Sequence, residues 1–175
     1  MKYNLINEIY DAGEDILESS FFQQSKTIEQ HYHTNLAIHS INVAMKSLKI
    51  SDKLSKIGVK IHREEMIRGC LLHDLGLLDR DGFYKCGPHQ ALMHGKKGVS
   101  IAKEIVGDLT PIEKQIIERH MFPLYIIPPT KIEGHIVQIA DKICAVQELC
   151  RKKKCNEFET SISNIGLLNP QKVPA

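Results

Sequence analysis

The sequence predicts an all-α fold, a compact single-domain helical bundle of about six or more helices spanning residues 1–175. Three observations predict it. Apolar residues recur at helical spacing in one segment after another, no segment shows convincing strand alternation, and neither a repeat nor a linker divides the 175 residues. A hydrophobic fraction of 42% and a charged fraction of 25% describe an ordinary globular chain able to bury a core. The formal charge of +2 is nearly balanced, so charge gives no reason to expect a nucleic-acid or membrane partner. No apolar run approaches the ~20 residues that span a bilayer. The opening MKYNLINEIYDAGED lacks the apolar centre of a signal peptide. Cysteines at 70, 86, 144, 150 and 155 are odd in number and form no CxxC, which fits reduced thiols in a cytoplasmic protein.

Residues 3–18 read as an amphipathic helix through Ile6, Ile9, Tyr10, Gly13, Ile16 and Leu17, with Phe21 and Phe22 anchoring the turn that follows. Glu29 to Thr34 leads into a helix of about 34–49, whose stripe is Ala37, Ile41, Ala44 or Met45, and Leu48. His39 lies beside that stripe, as a satisfied core histidine or as a ligand. Ser51-Asp52 and Gly58 mark a loop, and His62 reads as a surface residue. The next helix runs from Arg63 to about Leu75, with His73 and Asp74 in its last turn. Residues 79–88 have turn chemistry throughout and suit a substrate-facing segment.

His94-Gly95-Lys96-Lys97-Gly98 opens a helix carrying Val99, Ala102, Ile105 and Val106. Its glycines permit close approach, and its lysines are either phosphate ligands or simply solvated. Thr110-Pro111-Ile112-Glu113 is a helix start with a cap, a proline in the first turn and a capping box. Ile112, Ile116 and His120 then share a face. Met121 to Leu124 reads as core. The last helix, about 133–149, has one stripe of Ile136, Ile139, Ile143 and Val146, with Asp141 among Val137, Cys144 and Ala145 on an adjacent face. Its neighbour Lys142 points elsewhere. Arg151 to Lys154 reads as a solvated basic end, and 156–175 as a strap or tail.

Each polar group on these apolar faces has a bland explanation alone. An adjacent His73-Asp74 inside apolar sequence is nevertheless costly to bury unless something binds it. A metal ion neutralises the carboxylate and uses the imidazole lone pair. His39, His94, His120 and Asp141 lie on or at the end of other apolar helices, so packing those faces together gathers all six groups.

The order H…HD…D resembles the HD-domain superfamily of metal-dependent phosphohydrolases. His39-Ser40-Ile41-Asn42-Val43-Ala44, Leu71-Leu72-His73-Asp74-Leu75-Gly76 and Ile139-Ala140-Asp141-Lys142 carry the resemblance, which covers about 30–148. His94, with Gly95 and Gly98, and Arg119-His120 resemble the two further histidines of HD proteins with two metals. Glu118 to Leu124, with Met66 to Gly69 upstream, resembles a group of small bacterial HD proteins. The resemblance implies a helical fold and one metal held by His39, His73, Asp74 and Asp141. It implies a second held by His94 and His120, with Asp74 bridging. Other two-metal groups carry another histidine where this chain has Met121, which leaves the second site poorer in protein ligands.

The chemistry follows from the ligand types. Phosphate-ester hydrolysis needs an activated water and cancellation of charge on phosphoryl oxygens, and metals roughly 3.5–4 Å apart supply both. A His/Asp set suits Mn, Fe, Ni, Co or Zn better than Mg or Ca. His73 and Asp74 are the expected catalytic centre. Lys96, Lys97 and Arg119 are candidates for phosphate charges, and His31 for an outer position. The expected substrate is a small phosphorylated molecule such as a nucleotide, with dinucleoside polyphosphate hydrolysis one possibility that the resemblance brings. Specificity is expected in the loops 79–92 and 121–132. Two other readings share the ligand set: a di-iron oxygenase on the same fold, and a catalytically silent nucleotide-binding module.

Overall fold

The computed structural model describes residues 2–30, 34–78 and 88–150. His31, the greater part of the expected 79–88 loop and the expected strap at 156–175 lie outside the described residues. Seven α-helices stand among those described: α1 (Lys2–Glu18), α2 (Ser20–Ser25), α3 (Leu36–Ser55), α4 (Arg63–Leu72), α5 (Pro88–Val106), α6 (Pro111–Arg119) and α7 (Ile132–Cys150). A 3-10 turn, Leu75–Leu77, follows α4. The all-α expectation holds, with one small addition. Two-residue strands β1 (Glu29–Gln30) and β2 (Thr34–Asn35) pair antiparallel just before α3. They are too short for the period-two pattern that would reveal a strand in sequence.

α3 is the central helix. It is buried nearly all round, from Leu36 through Ser51, as a helix enclosed by others must be. α4 and α7 pack on it, α6 spans α4 and α7, and α5 lies against α6 and the 3-10 turn. Phe22, Ile9, Ile41, Leu48, Met66 and Leu71 are among the fully buried side chains of one continuous core. Cys70 and Cys144 are buried in it as well, as their apolar surroundings predict.

Polar ties fix how the helices meet. Arg63 grips Glu8 of α1 with two hydrogen bonds, 2.7 and 2.9 Å, and reaches Asp52 at 2.7 Å and Ser51 at 3.1 Å on α3. That is why α3 continues past the 49 expected: Ser51 and Asp52, read as loop residues, are helical residues used by a partner on α4. Arg68 of α4 donates to Glu113 of α6 and to both carboxylate oxygens of Asp15 of α1. Glu113 also completes the predicted capping box with Thr110. At the far end, Glu133 of α7 accepts the main-chain N–H and ring N–H of His62, both at 2.9 Å. It supplies the cap that α4 lacks from its own N-cap side chain. The His62 ring remains exposed, as expected.

Three further expectations are corrected. α5 begins at Pro88, so residues 88–92 of the expected specificity loop are helical. Met121 to Leu124 is not core: Leu124 is 66% exposed. On α7 only Ile136 of the named stripe is buried, while Ile139 (51%), Ile143 and Val146 (59%) face outward. α7 has two apolar faces, and the inward one also carries Glu133, Asp141 and Glu148, all buried. Their bonds to His62 and His39 decide the rotation of the helix. No helix among the described residues is long and apolar enough to cross a membrane.

Candidate metal centre

α4 ends at Leu72, not at Leu75, and this small difference makes the site. His73 is the C-cap, still in helical conformation, and Asp74 leaves the helix at φ −103°, ψ 0°. Successive residues on a continuing helix diverge by about 100°. Breaking the helix between them lets the two side chains converge, with His73 Nε2 3.4 Å from Asp74 Oδ2. Gly76 then holds the 3-10 turn against α5, because a Cβ there would collide with the carbonyl of His94. Gly95 does the same between α5 and α6: its Cβ would stand 2.9 Å from the carbonyls of Ile117 and Glu118. The glycines flanking His94 are thus what brings α5 close enough for His94 to reach His120.

All six predicted ligands meet. Asp74 divides its oxygens between two groups. Oδ2 faces His73 and, at 3.7 Å, His39 Nε2; Oδ1 lies 3.3 Å from both His94 Nε2 and His120 Nε2. Asp141 Oδ1 comes from α7 to 3.1 Å from His39 Nε2 and 3.9 Å from His73 Nε2. The ligand atoms of His39, His73 and Asp74 lie within 4.8 Å of one another, and so do those of Asp74, His94 and His120. The six side chains are buried.

Three of the imidazoles are locked in one tautomer. His73 Nδ1 donates to the Cys70 carbonyl at 2.7 Å, His120 Nδ1 to the Ile117 carbonyl at 3.0 Å, and His39 Nδ1 to Glu148 Oε2 at 2.8 Å. These partners only accept, so each Nδ1 carries the proton. The Nε2 of His73 and of His120 therefore turns a lone pair inward, His120 Nε2 lying 2.8 Å from His94 Nε2, while His39 Nε2 lies 3.1 Å from Asp141 Oδ1 and shares a proton with it in metal-free protein. His73 Nε2 is buried and makes no hydrogen bond. A ring of lone pairs and carboxylate oxygens is held together by something positive at its middle, and divalent cations with His and Asp ligands meet that need. The donor set fits a metal.

Electrostatics agree. Burial pushes His73 down to about 4, so it is neutral and its lone pair is available near neutral pH. Burial works against a charged Asp74, yet His73, His120 and His94 outweigh it and hold the carboxyl well below its ordinary range. Burial likewise opposes a proton on His39, but Asp141 and Glu148 outweigh it and push the imidazole up to about 10. Where no metal sits, a proton between His39 and Asp141 plays its part.

Glu148 is the residue that the sequence reading missed. It is 2% exposed, accepts from His39 Nδ1 and also takes the Asn42 amide at 2.9 Å. The available signal was spacing: it stands two turns beyond Asp141, on the same face. Lys142 also departs from expectation. It leans over the rim of the centre and donates to the His120 carbonyl at 3.1 Å. The expected phosphate ligands are peripheral: Lys96 and Lys97 are exposed, and Arg119 donates to the Pro128 carbonyl at 3.1 Å.

Among known proteins, no curated protein and no solved structure matches the chain. The HD domain, from a superfamily of metal-dependent phosphohydrolases, matches residues 36–146, more than half of the sequence and the whole span from His39 to Asp141. With that match laid over six converging candidate ligands in the order H…HD…H…H…D, the chain belongs to the HD domain family.

Proposed function

We propose that this protein is a metal-dependent hydrolase that cleaves a phosphate ester or anhydride of a nucleotide or similar small phosphorylated molecule, using two divalent transition-metal ions. The single observation that carries the reading is Asp74, whose two oxygens each face a different pair of histidines. His39, His73, Asp74 and Asp141 would hold one ion, and His94, His120 and Asp74 the other. Bound there, the ions supply an activated water and Lewis acidity toward the phosphoryl oxygens.

The chain's own part is orientation and charge. Glu148 and the carbonyls of Cys70 and Ile117 fix three imidazole planes, so none of these three must reorient when substrate binds. Asp74 and Asp141 bring negative charge into a centre closed from solvent on the core side, which cancels part of the ions' charge and holds them against release. Lys97 lies three residues after His94 on α5 and is on the same side of the helix. It and Lys96 are proposed cations for substrate phosphate, with Arg119 a third.

The test is turnover. Full-length protein loaded with Mn or Fe is expected to hydrolyse members of a panel of nucleotides, dinucleoside polyphosphates and phosphodiesters, and His73→Ala is expected to abolish it. Metal-loaded protein inert across the panel overturns the reading. If that inert protein holds iron and consumes oxygen with substrate, the oxygenase reading replaces it.

A further inference from the structure

α7 does more at this centre than deliver Asp141. Gln138 and Lys142 stand one turn apart on the same side of it. Gln138 Nε2 donates to the Phe122 carbonyl at 2.7 Å. Lys142 Nζ donates to the His120 carbonyl at 3.1 Å and reaches the Gln138 carbonyl at 3.5 Å. Both outer carbonyls belong to the turn that ends α6, where main-chain carbonyls lack helical partners. A cation there also meets the negative end of the helix. The same turn carries His120, whose ring is fixed at Nδ1 by the Ile117 carbonyl of its own helix and at Nε2 meets His94 Nε2 at 2.8 Å and Asp74. Where His120 Nε2 stands relative to Asp74 therefore depends on how the end of α6 is held to the rest of the fold. Another tether of this region does not involve α7's inner turns. Gln115 of α6 bonds Thr130 and the main-chain N–H of Lys131.

We propose that Gln138 and Lys142 are positioning residues for the second ion. They clamp the His120 turn to the helix that carries Asp141, so the Asp74–His94–His120 group keeps its ligand geometry only while the clamp is closed. This rests on the reading of those three residues as ligands of a divalent ion. Neither clamp residue is itself a ligand. The effect passes through the main chain of residues 120–122, which makes the second half of the centre dependent on α7 although it draws no ligand from it.

The experiment is equilibrium dialysis of the full chain against Mn²⁺, with metal content, thermal midpoint and hydrolysis of a phosphodiester read on the same samples. Wild type is expected to bind two ions per chain. Gln138→Leu with Lys142→Met is expected to weaken one of the two by roughly tenfold or more, the size of an outer-shell loss, and to leave the other unchanged. Lys142→Arg, which can still donate to the carbonyl, restores the second ion in the lysine single variant. Gln115→Leu lowers the thermal midpoint and leaves both ions in place. Two ions bound with wild-type affinity in the double variant overturn the clamp while the two-metal reading stands. A raised KM in Lys142→Met with both ions in place also overturns it, and makes Lys142 a substrate contact. A wild type that binds fewer than two ions sinks the two-metal reading and the clamp together.

Discussion

The Arg68 cluster and the His39–Asp141 centre are both gatherings of charge within the helical packing, and they are built oppositely. Around Arg68, donors meet acceptors. Its guanidinium serves Glu113, the Ala12 carbonyl and both oxygens of Asp15, and Glu113 spends its other oxygen on the Thr110 N–H. Nothing is left over for a ligand. Around Asp74, the inward atoms are two carboxylates and the Nε2 atoms of four imidazoles, three of which point their Nδ1 protons outward to Cys70, Ile117 and Glu148. A polar cluster that satisfies itself is a strut joining α1, α4 and α6. One that turns two carboxylates and four imidazole Nε2 atoms toward a shared middle is a socket for a cation.

Deleting the shared carboxylate tests that contrast most severely. Asp74→Ala is expected to lose both ions in dialysis and to lower hydrolysis on the order of 10³-fold or more, which corresponds to roughly 4 kcal/mol of transition-state stabilisation. In metal-free protein the same change removes the carboxylate that His73, His94 and His120 face, so its thermal midpoint is expected to fall as well. A two-ion complex in Asp74→Ala would make the centre a strut after all.

Arg68→Met should show a different pattern. Glu113 is buried and loses a charged partner, whereas Asp15 is half exposed and regains water. The expected cost is about 2 kcal/mol, below the full figure for a buried pair, or roughly 4–8 °C in thermal midpoint for a chain of this size. Ions bound per folded chain should not change. Loss of metal from folded Arg68→Met would break the distinction between the two clusters. A smaller effect is expected at Glu148→Gln, which keeps the shape and removes the charge behind His39. Affinity for the first ion should fall about tenfold or more, with turnover at saturating metal retained. An unchanged affinity would reduce Glu148 to packing.

The same contrast explains what could be read in the sequence. His39, His73, Asp74, His94, His120 and Asp141 were legible because each interrupts or ends an apolar helical stripe, a local pattern. Glu148 was not, because it lies among the charges and polar groups of a helix end. Only His39, 109 positions away in sequence, gives it meaning. The rotation of α7 was misjudged for a related reason. Both of its faces are apolar enough to be core, and the choice falls to three carboxylates whose partners lie on α3 and before α4. The end of α4 was placed three residues late because Leu75 continues the apolar pattern. The break after Leu72 comes from the way the 3-10 turn packs under α5, through Gly76 and the His94 carbonyl, a contact with no trace in the local sequence.

His62 and Glu133 stand between the two clusters, an imidazole–carboxylate pair that is closed like the strut but titratable like the socket. Glu133 raises the pKa of His62 above its ordinary 6.5. Burial opposes charge on Glu133, but the His62 main-chain and ring bonds outweigh it and lower its pKa below 4.5. The signs follow. The His62 contribution is complete below pH 6.5 and is lost as pH rises through the raised folded value. The Glu133 contribution is complete above 4.5 and is lost as pH falls through the depressed one. Both are whole only between those limits. His62→Ala removes the ring and keeps the main-chain N–H that caps α4 through Glu133. Its shift in urea midpoint relative to wild type, at unchanged m-value, should therefore be small, largest near about pH 5.5, and should shrink as pH rises through the raised folded value of His62. A shift that stays constant as pH rises would mean that the ring's charge does nothing at this joint, and that Glu133 holds α7 to α4 through the main-chain N–H alone.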